Sequence, residues 1–179
     1  MTTPVRRSVP WMLLALLAAT PARSQETTLV PFSLKDQFDQ VRTRDDYRGR
    51  IVMMIGSDRK GSKYSRVWRK ALADSLRGDP GFERLTFLGV ADTRGVPFLI
   101  KGMVKGKMPR DSTYRILLDW KGELAKAYRF DKASATVLLF GPEGAEVHRS
   151  GVQDLEPGPM GPILRAVRSL LASVGGAGE

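Results

Sequence analysis

The sequence predicts one α/β domain: a central mixed sheet of four to five strands, helices flanking it, and a C-terminal antiparallel hairpin. Three observations predict it. Short apolar runs at 51–55, 85–91, 115–119 and 135–140 alternate with helical patterns. Unbroken apolar runs of this length are what strands covered on both faces require. The element order arm, β, α, β, α, β, α, β, β, α implies parallel pairing through right-handed crossovers. Finally, Gly141-Pro142-Glu143-Gly144 separates two strand-like runs and reads as a hairpin turn.

Taken in order, residues 1–24 read as a signal peptide, outside the domain. Arg6 and Arg7 form a positive start, and the 11-residue apolar run 9–19 is too short to span a bilayer comfortably. Pro21 breaks the helix, and Ala22-Arg23-Ser24 offers small residues for cleavage before Gln25. Ser8-Val9-Pro10 fits a twin-arginine signal poorly, so general export is expected. The domain is assigned to 25–174. Its segment 30–38 reads as an edge strand or extended arm, because Pro31 cannot donate to a ladder. Residues 45–49 form a turn into the strand 51–55. Tyr64, Val67, Trp68, Ala71, Leu72 and Leu76 recur at helical spacing, and Gly78-Asp79-Pro80-Gly81 ends that helix. After the strand 85–91, residues 97–108 have helical character, weakened by Gly102 and Gly106. The strand 115–119 leads to a short helix at 122–128. The strand 135–140 then turns back into a partner at 145–151. Residues 157–162 read as a loop, Ile163 to Val174 as a closing amphipathic helix, and 175–179 as a disordered tail.

The chain has 179 residues, a formal charge of +10, one histidine and no cysteine. Removing residues 1–24 takes away three arginines and no acid, leaving +7 over 155 residues. That length supports a single well-packed core. Without cysteine there is no disulfide and no lipidated N-terminal Cys, so a lipoprotein is excluded. The basic residues are spread along the chain with no nucleic-acid motif, so no nucleic-acid partner is expected. After signal cleavage no transmembrane segment remains. One histidine without cysteine does not supply a zinc or iron ligand set, and no cofactor is implied. His148 reads as an ordinary surface-strand residue. No G-x-S-x-G elbow or P-loop is present. Trp68, Trp120 and Tyr128 read as core or rim. Asp92, Asp119 and Glu123 are spaced in a way that says nothing of a paired-carboxylate site.

The strand-to-helix loop is the chemically loaded place. It reads Ser57-Asp58-Arg59-Lys60-Gly61-Ser62-Lys63. Free backbone N–H groups and the helix dipole favour an anion there, and Arg59, Lys60 and Lys63 add charge. A phosphate, a sulfate or a partner's carboxylate terminus suits it. The plainer use of the same residues is helix capping by Ser57 or Asp58, with the basic side chains in solvent. Lys60 or Lys63 acting as a nucleophile requires a depressed pKa from burial or crowding.

Several phrases resemble the redoxin branch (peroxiredoxins and thiol-disulfide oxidoreductases) of the thioredoxin-like proteins. Phe32-Ser33-Leu34-Lys35-Asp36-Gln37 is similar to that branch's opening arm, and Tyr47-Arg48-Gly49-Arg50-Ile51-Val52 to the start of its first central strand. The stretch 118–128, Leu-Asp-Trp-Lys-Gly-Glu-Leu-Ala-Lys-Ala-Tyr, is similar to the lead-in to its last hairpin. Thr136-Val137-Leu138-Leu139-Phe140-Gly141-Pro142-Glu143-Gly144 is similar to the hairpin itself. The resemblance spans residues 32 to about 171 and implies a thioredoxin-like three-layer sandwich. It also implies that Lys60 and Lys63 stand about where a C-x-x-C pair belongs, and Ala135 where a cis-proline precedes Thr136. An ammonium is neither a thiolate nucleophile nor oxidisable to a disulfide. A cis bond before alanine costs about 2.5–4 kcal/mol, so a trans peptide is expected. The resemblance thus implies a divergent member without thiol chemistry, exported to the periplasm or beyond, that binds a protein or small anion or serves structurally. An enzyme using Asp58, Lys60 and Lys63, and a basic protein drawn to envelope polyanions, are the other two readings.

Overall fold

The computed structural model describes residues 28–110 and 113–175. The signal peptide expected at 1–24 lies outside them. The chain runs β1 (Ser33–Lys35), β2 (Val41–Thr43), β3 (Ile51–Ser57), α1 (Ser62–Leu76), β4 (Leu85–Asp92), α2 (Lys101–Gly106), β5 (Arg115–Asp119), α3 (Glu123–Ala127), β6 (Ala135–Phe140), β7 (Glu146–Val152) and α4 (Pro157–Gly175). Short 3-10 turns occupy Arg44–Tyr47, Phe82–Arg84 and Phe98–Ile100.

Five strands form one sheet in the order β5-β4-β3-β6-β7. β3 pairs in parallel with β4, and β4 with β5; β6 runs antiparallel to both β3 and β7. Parallel crossovers thus end at β5. The five-residue α3 is only about 7.5 Å long, too short to carry the chain back along a strand. β6 therefore begins at the sheet end where β5 stopped, and runs the other way.

The apolar run of β3 is central and every residue in it is buried. Alternate side chains feed two cores. Ile51, Met53 and Ile55 pack with Trp68, Leu72 and Leu76 of α1 and with Ile163, Val167 and Leu171 of α4. Val52 and Met54 face Leu124 and Tyr128 together with Leu29, Phe32 and Tyr47 of the N-terminal arm. The layers are α1 with α4, the sheet, then α3 with the arm. Val67, expected on the buried stripe of α1, is 49% exposed. The helix packs along the narrower row Trp68, Leu72, Leu76, all at zero exposure, because the i, i+4, i+8 spacing alone meets the sheet.

The arm forms its own hairpin, β1 against β2, linked to the main sheet by an Asp36–Leu117 bridge. Asp36 is wholly buried and accepts from the Phe38 and Gln40 amides and from Arg42. Two corrections fall at the C-terminus. Residues 157–162 are helix rather than loop, and Gly175 ends α4 rather than opening a tail. Proline in a first helical turn gives up only N–H groups that have no intrahelical partner, so Pro157 and Pro159 fit the start. Pro162 falls later and faces the carbonyl of exposed Gly158, which water can satisfy.

Candidate functional site

The expected site is where β3 ends and α1 begins, beside the segment leading into β6. The strand register places Ser57 opposite Ala135 and Gly56 opposite Thr136. No cis peptide occurs among the described residues, so Ala135 follows a trans bond and joins the ladder as a regular, fully buried strand residue. Thr136 is 1% exposed and its Oγ1 accepts from the Asp131 amide at 3.1 Å.

Two glycines let the backbones close on one another. A Cβ on Gly61 would stand 1.8 Å from the carbonyl oxygen of Ser134, and one on Gly56 would enter the ring of Phe130 at 2.0 Å. Asp58 ties the same two segments. Its Oδ1 accepts from the Gly61 amide at 2.7 Å, and its Oδ2 from the Ala133 amide at 3.1 Å. Ala133 holds a left-handed φ of 56°, a conformation L-residues adopt rarely, and the bond to Asp58 secures it. Gly61 itself occupies the N-cap of α1 with no side-chain cap. Asp58 therefore bonds the N-cap residue's own amide and a neighbouring loop, not the usual N2 or N3 amide. Ser57 Oγ lies 3.0 Å from Ser65 Oγ, and Ser62 Oγ donates to the Arg59 carbonyl at 2.9 Å.

The basic side chains do not join this arrangement. Arg59, Lys60 and Lys63 are exposed, and none forms an ion pair among the described residues. Lys63 Nζ lies 4.5 Å over the Tyr64 ring. Tyr64's hydrogen bond, with a smaller contribution from Asp154, raises its pKa, the opposite of what a nucleophilic lysine needs. The carboxylate and the two lysines thus do not converge.

What sequence reasoning missed is the hollow next door. Asp131, Ser134, Gly151, Gln153, Asp154 and Glu156 are among the residues lining a cavity of about 370 Å³. It is assembled from loops far apart in sequence, with no local spacing to betray it. The remaining candidates are structural. Asp119 is wholly buried and caps α3, accepting from the Glu123 amide at 2.7 Å and the Ala125 amide at 3.0 Å. Its register partner Asp92 pairs with Arg94 at 2.6 Å. Burial alone would push Asp92 up, but hydrogen bonds and charge from Arg94 outweigh it and leave the carboxyl below its ordinary value. His148 Nε2 meets Ser150 Oγ at 2.8 Å, and burial lowers its pKa. Trp68 donates to the Gln153 carbonyl at 2.8 Å, and the Tyr128 hydroxyl accepts from the Val30 amide at 2.7 Å. Both belong to the core, as expected.

No family model and no curated protein matches the sequence. Solved structures do. Yeast Sco1 superposes with a TM-score of 0.59 at 16% identity, over 81% of this chain and 97% of that one. A protein assigned as the thiol:disulfide interchange protein DsbE from Chlorobium tepidum gives 0.59 at 14%, over 82% and 96%. The exposed lipoprotein thioredoxin Etrx1 of Streptococcus pneumoniae gives 0.56 at 18%, over 79% and 100%. The chain has the thioredoxin-like fold. It is a divergent representative, since no cysteine occurs anywhere in its sequence. In this thioredoxin-like frame the strand-to-helix junction holds Gly61, and the loop before β6 lies against it.

Proposed function

We propose that this chain is an exported thioredoxin-like protein without thiol redox activity, acting as a binding or structural module. The observation that supports the reading best is the closure of the junction. With no cysteine in the sequence, there is no thiol at the junction, and the contact of Gly61 with the Ser134 carbonyl and the two hydrogen bonds of Asp58 hold its two backbone segments against each other. The anion most readily placed at this helix start is the chain's own Asp58 carboxylate. That weighs against the loop 58–63 serving as a phosphate or carboxylate receptor, and equally against an enzyme built on Asp58, Lys60 and Lys63. Export rests on residues 1–24, with a positive start, an apolar run and Ala22-Arg23-Ser24 before Gln25.

The test is direct. The purified protein is expected to match a buffer blank in insulin-disulfide reduction and in peroxide consumption; turnover above blank in either assay defeats the proposal. N-terminal sequencing of the exported protein is expected to begin at Gln25.

A further inference from the structure

Between Asp92 and Asp111 the chain runs eighteen residues with five basic side chains (Arg94, Lys101, Lys105, Lys107 and Arg110) and no acidic one. The middle of this stretch is the 3-10 turn Phe98–Ile100 followed by α2. It leaves Leu99 92% exposed, Met103 63% and Ile100 41%, whereas the other large exposed apolar side chains of the described residues, Val41, Val67, Val147 and Leu155, are scattered singly. Leu99, Ile100 and Met103 fall within five consecutive residues, so this exposed apolar surface is gathered on one short segment. Lone exposed apolar residues need no explanation, but a contiguous cluster rimmed by charge marks an interaction surface.

The charge around the cluster selects the occupant. Arg94 is engaged by Asp92 and Lys105 by Asp39, while Lys101 lies over the Trp120 ring at 4.7 Å. Lys107 and Arg110 are exposed on the residues that directly follow α2. A second copy of this chain would bring the same cationic rim against its own, at a formal charge of +7 each once residues 1–24 are removed. An apolar face edged by lysine and arginine is instead the pattern of an element lying in the headgroup region of an anionic membrane. We propose that residues 97–110 are an interfacial foot: Leu99, Ile100 and Met103 enter the headgroup–acyl boundary of an anionic bilayer, and Lys107 and Arg110 meet lipid phosphates. This stands independently of the redox-silent reading, because it uses no residue of the Gly61 junction.

Co-sedimentation with vesicles tests it, comparing equal mixtures of phosphatidylglycerol and phosphatidylcholine with phosphatidylcholine alone. Wild type is expected to partition at least tenfold more strongly onto the anionic vesicles. The Leu99→Ser/Met103→Ser variant is expected to lose about a hundredfold, roughly tenfold per apolar side chain. Lys107→Gln/Arg110→Gln is expected to lose about fivefold per charge, on anionic vesicles only. All comparisons use the same form of the protein, so any contribution of residues 1–24 is common to both. These side chains are exposed, so unchanged urea midpoints verify folding. Leu99→Trp separates insertion from mere attraction, its emission moving to the blue on anionic vesicles. Undiminished binding of the serine variant, equal binding to neutral vesicles, no vesicle binding, or an unmoved Leu99→Trp emission overturns the proposal.

Discussion

Gly61→Ala is the sharpest test of the closed junction. The backbone φ at Gly61 is −77°, which alanine accepts, so any penalty comes from space alone. The new methyl would lie 1.8 Å from the Ser134 oxygen, where ordinary contact begins at 3.4 Å; about 1.6 Å must be made up by moving backbone. Ser134 is held on one side by the Ser57–Ala135 register and on the other by Ala133's bond to Asp58. Overpacking costs about 1–3 kcal/mol, and straining a charge-assisted hydrogen bond adds about 1.5–3. We expect a loss of about 3–5 kcal/mol, and a fall in Tm of roughly 10 °C for a domain of this size. Urea unfolding followed by tryptophan fluorescence measures it. Gly78→Ala is the control: nothing lies within 4 Å of its Cβ position, so it should be neutral or stabilising by up to about 1 kcal/mol. A Gly61→Ala loss under about 1 kcal/mol would refute the reasoning, since the two segments would then have room to part.

Asp58→Ala removes both acceptors and should cost about 2–3 kcal/mol, with Asp58→Asn costing about half, because one carbonyl acceptor survives; equal unfolding midpoints for all three proteins would contradict this. Arg94→Ala should cost about 1 kcal/mol near neutrality. Asp92's folded pKa lies below its ordinary 3.8, so this stability is present above that value and lost as pH falls through the folded one; acid titrations of the two proteins should converge there. Burial holds His148 below 6.5, so its contribution is complete above 6.5 and declines as pH falls toward the folded value. An NMR titration of this single imidazole should give a midpoint under 6.5, and His148→Gln should flatten the stability slope in that window.

The sheet and α1 were legible because their signals are local. Buried central strands must be unbroken apolar runs, and Trp68, Leu72 and Leu76 repeat within one helix. The hairpin partner β2 was not legible, since Val41-Arg42-Thr43 is too short for alternation to register. The start of α4 was misread because proline breaks a helix interior yet suits a first turn, and sequence alone does not say which turn Pro157 occupies. Exposed Val67 shows the limit of periodicity, which marks the apolar side of a helix but not the width its neighbour covers. In the junction, the residues at 57–63 were identifiable and their use was not. Asp58's second partner, Ala133, is 75 positions away, and the acidic hollow draws on loops that no spacing connects.

The absence of cysteine is only one of the features that define this site. A thiol introduced at Lys60 or Lys63 would sit on an exposed side chain, while the backbone beneath it stayed held by Gly61 and Asp58. Each closing feature depends on the others. Gly61 admits the Ser134 carbonyl, Asp58 fixes Ala133 in its left-handed turn, and trans Ala135 then extends the ladder to Ser57. Substituting one leaves the other two pressing the segments together at a higher free energy, which is why loss of stability is the expected first symptom and gain of thiol chemistry is not. Mutual support of this kind is what a stable end of a sheet requires. Here it joins the start of α1 to the segment before β6, so the two move as one unit.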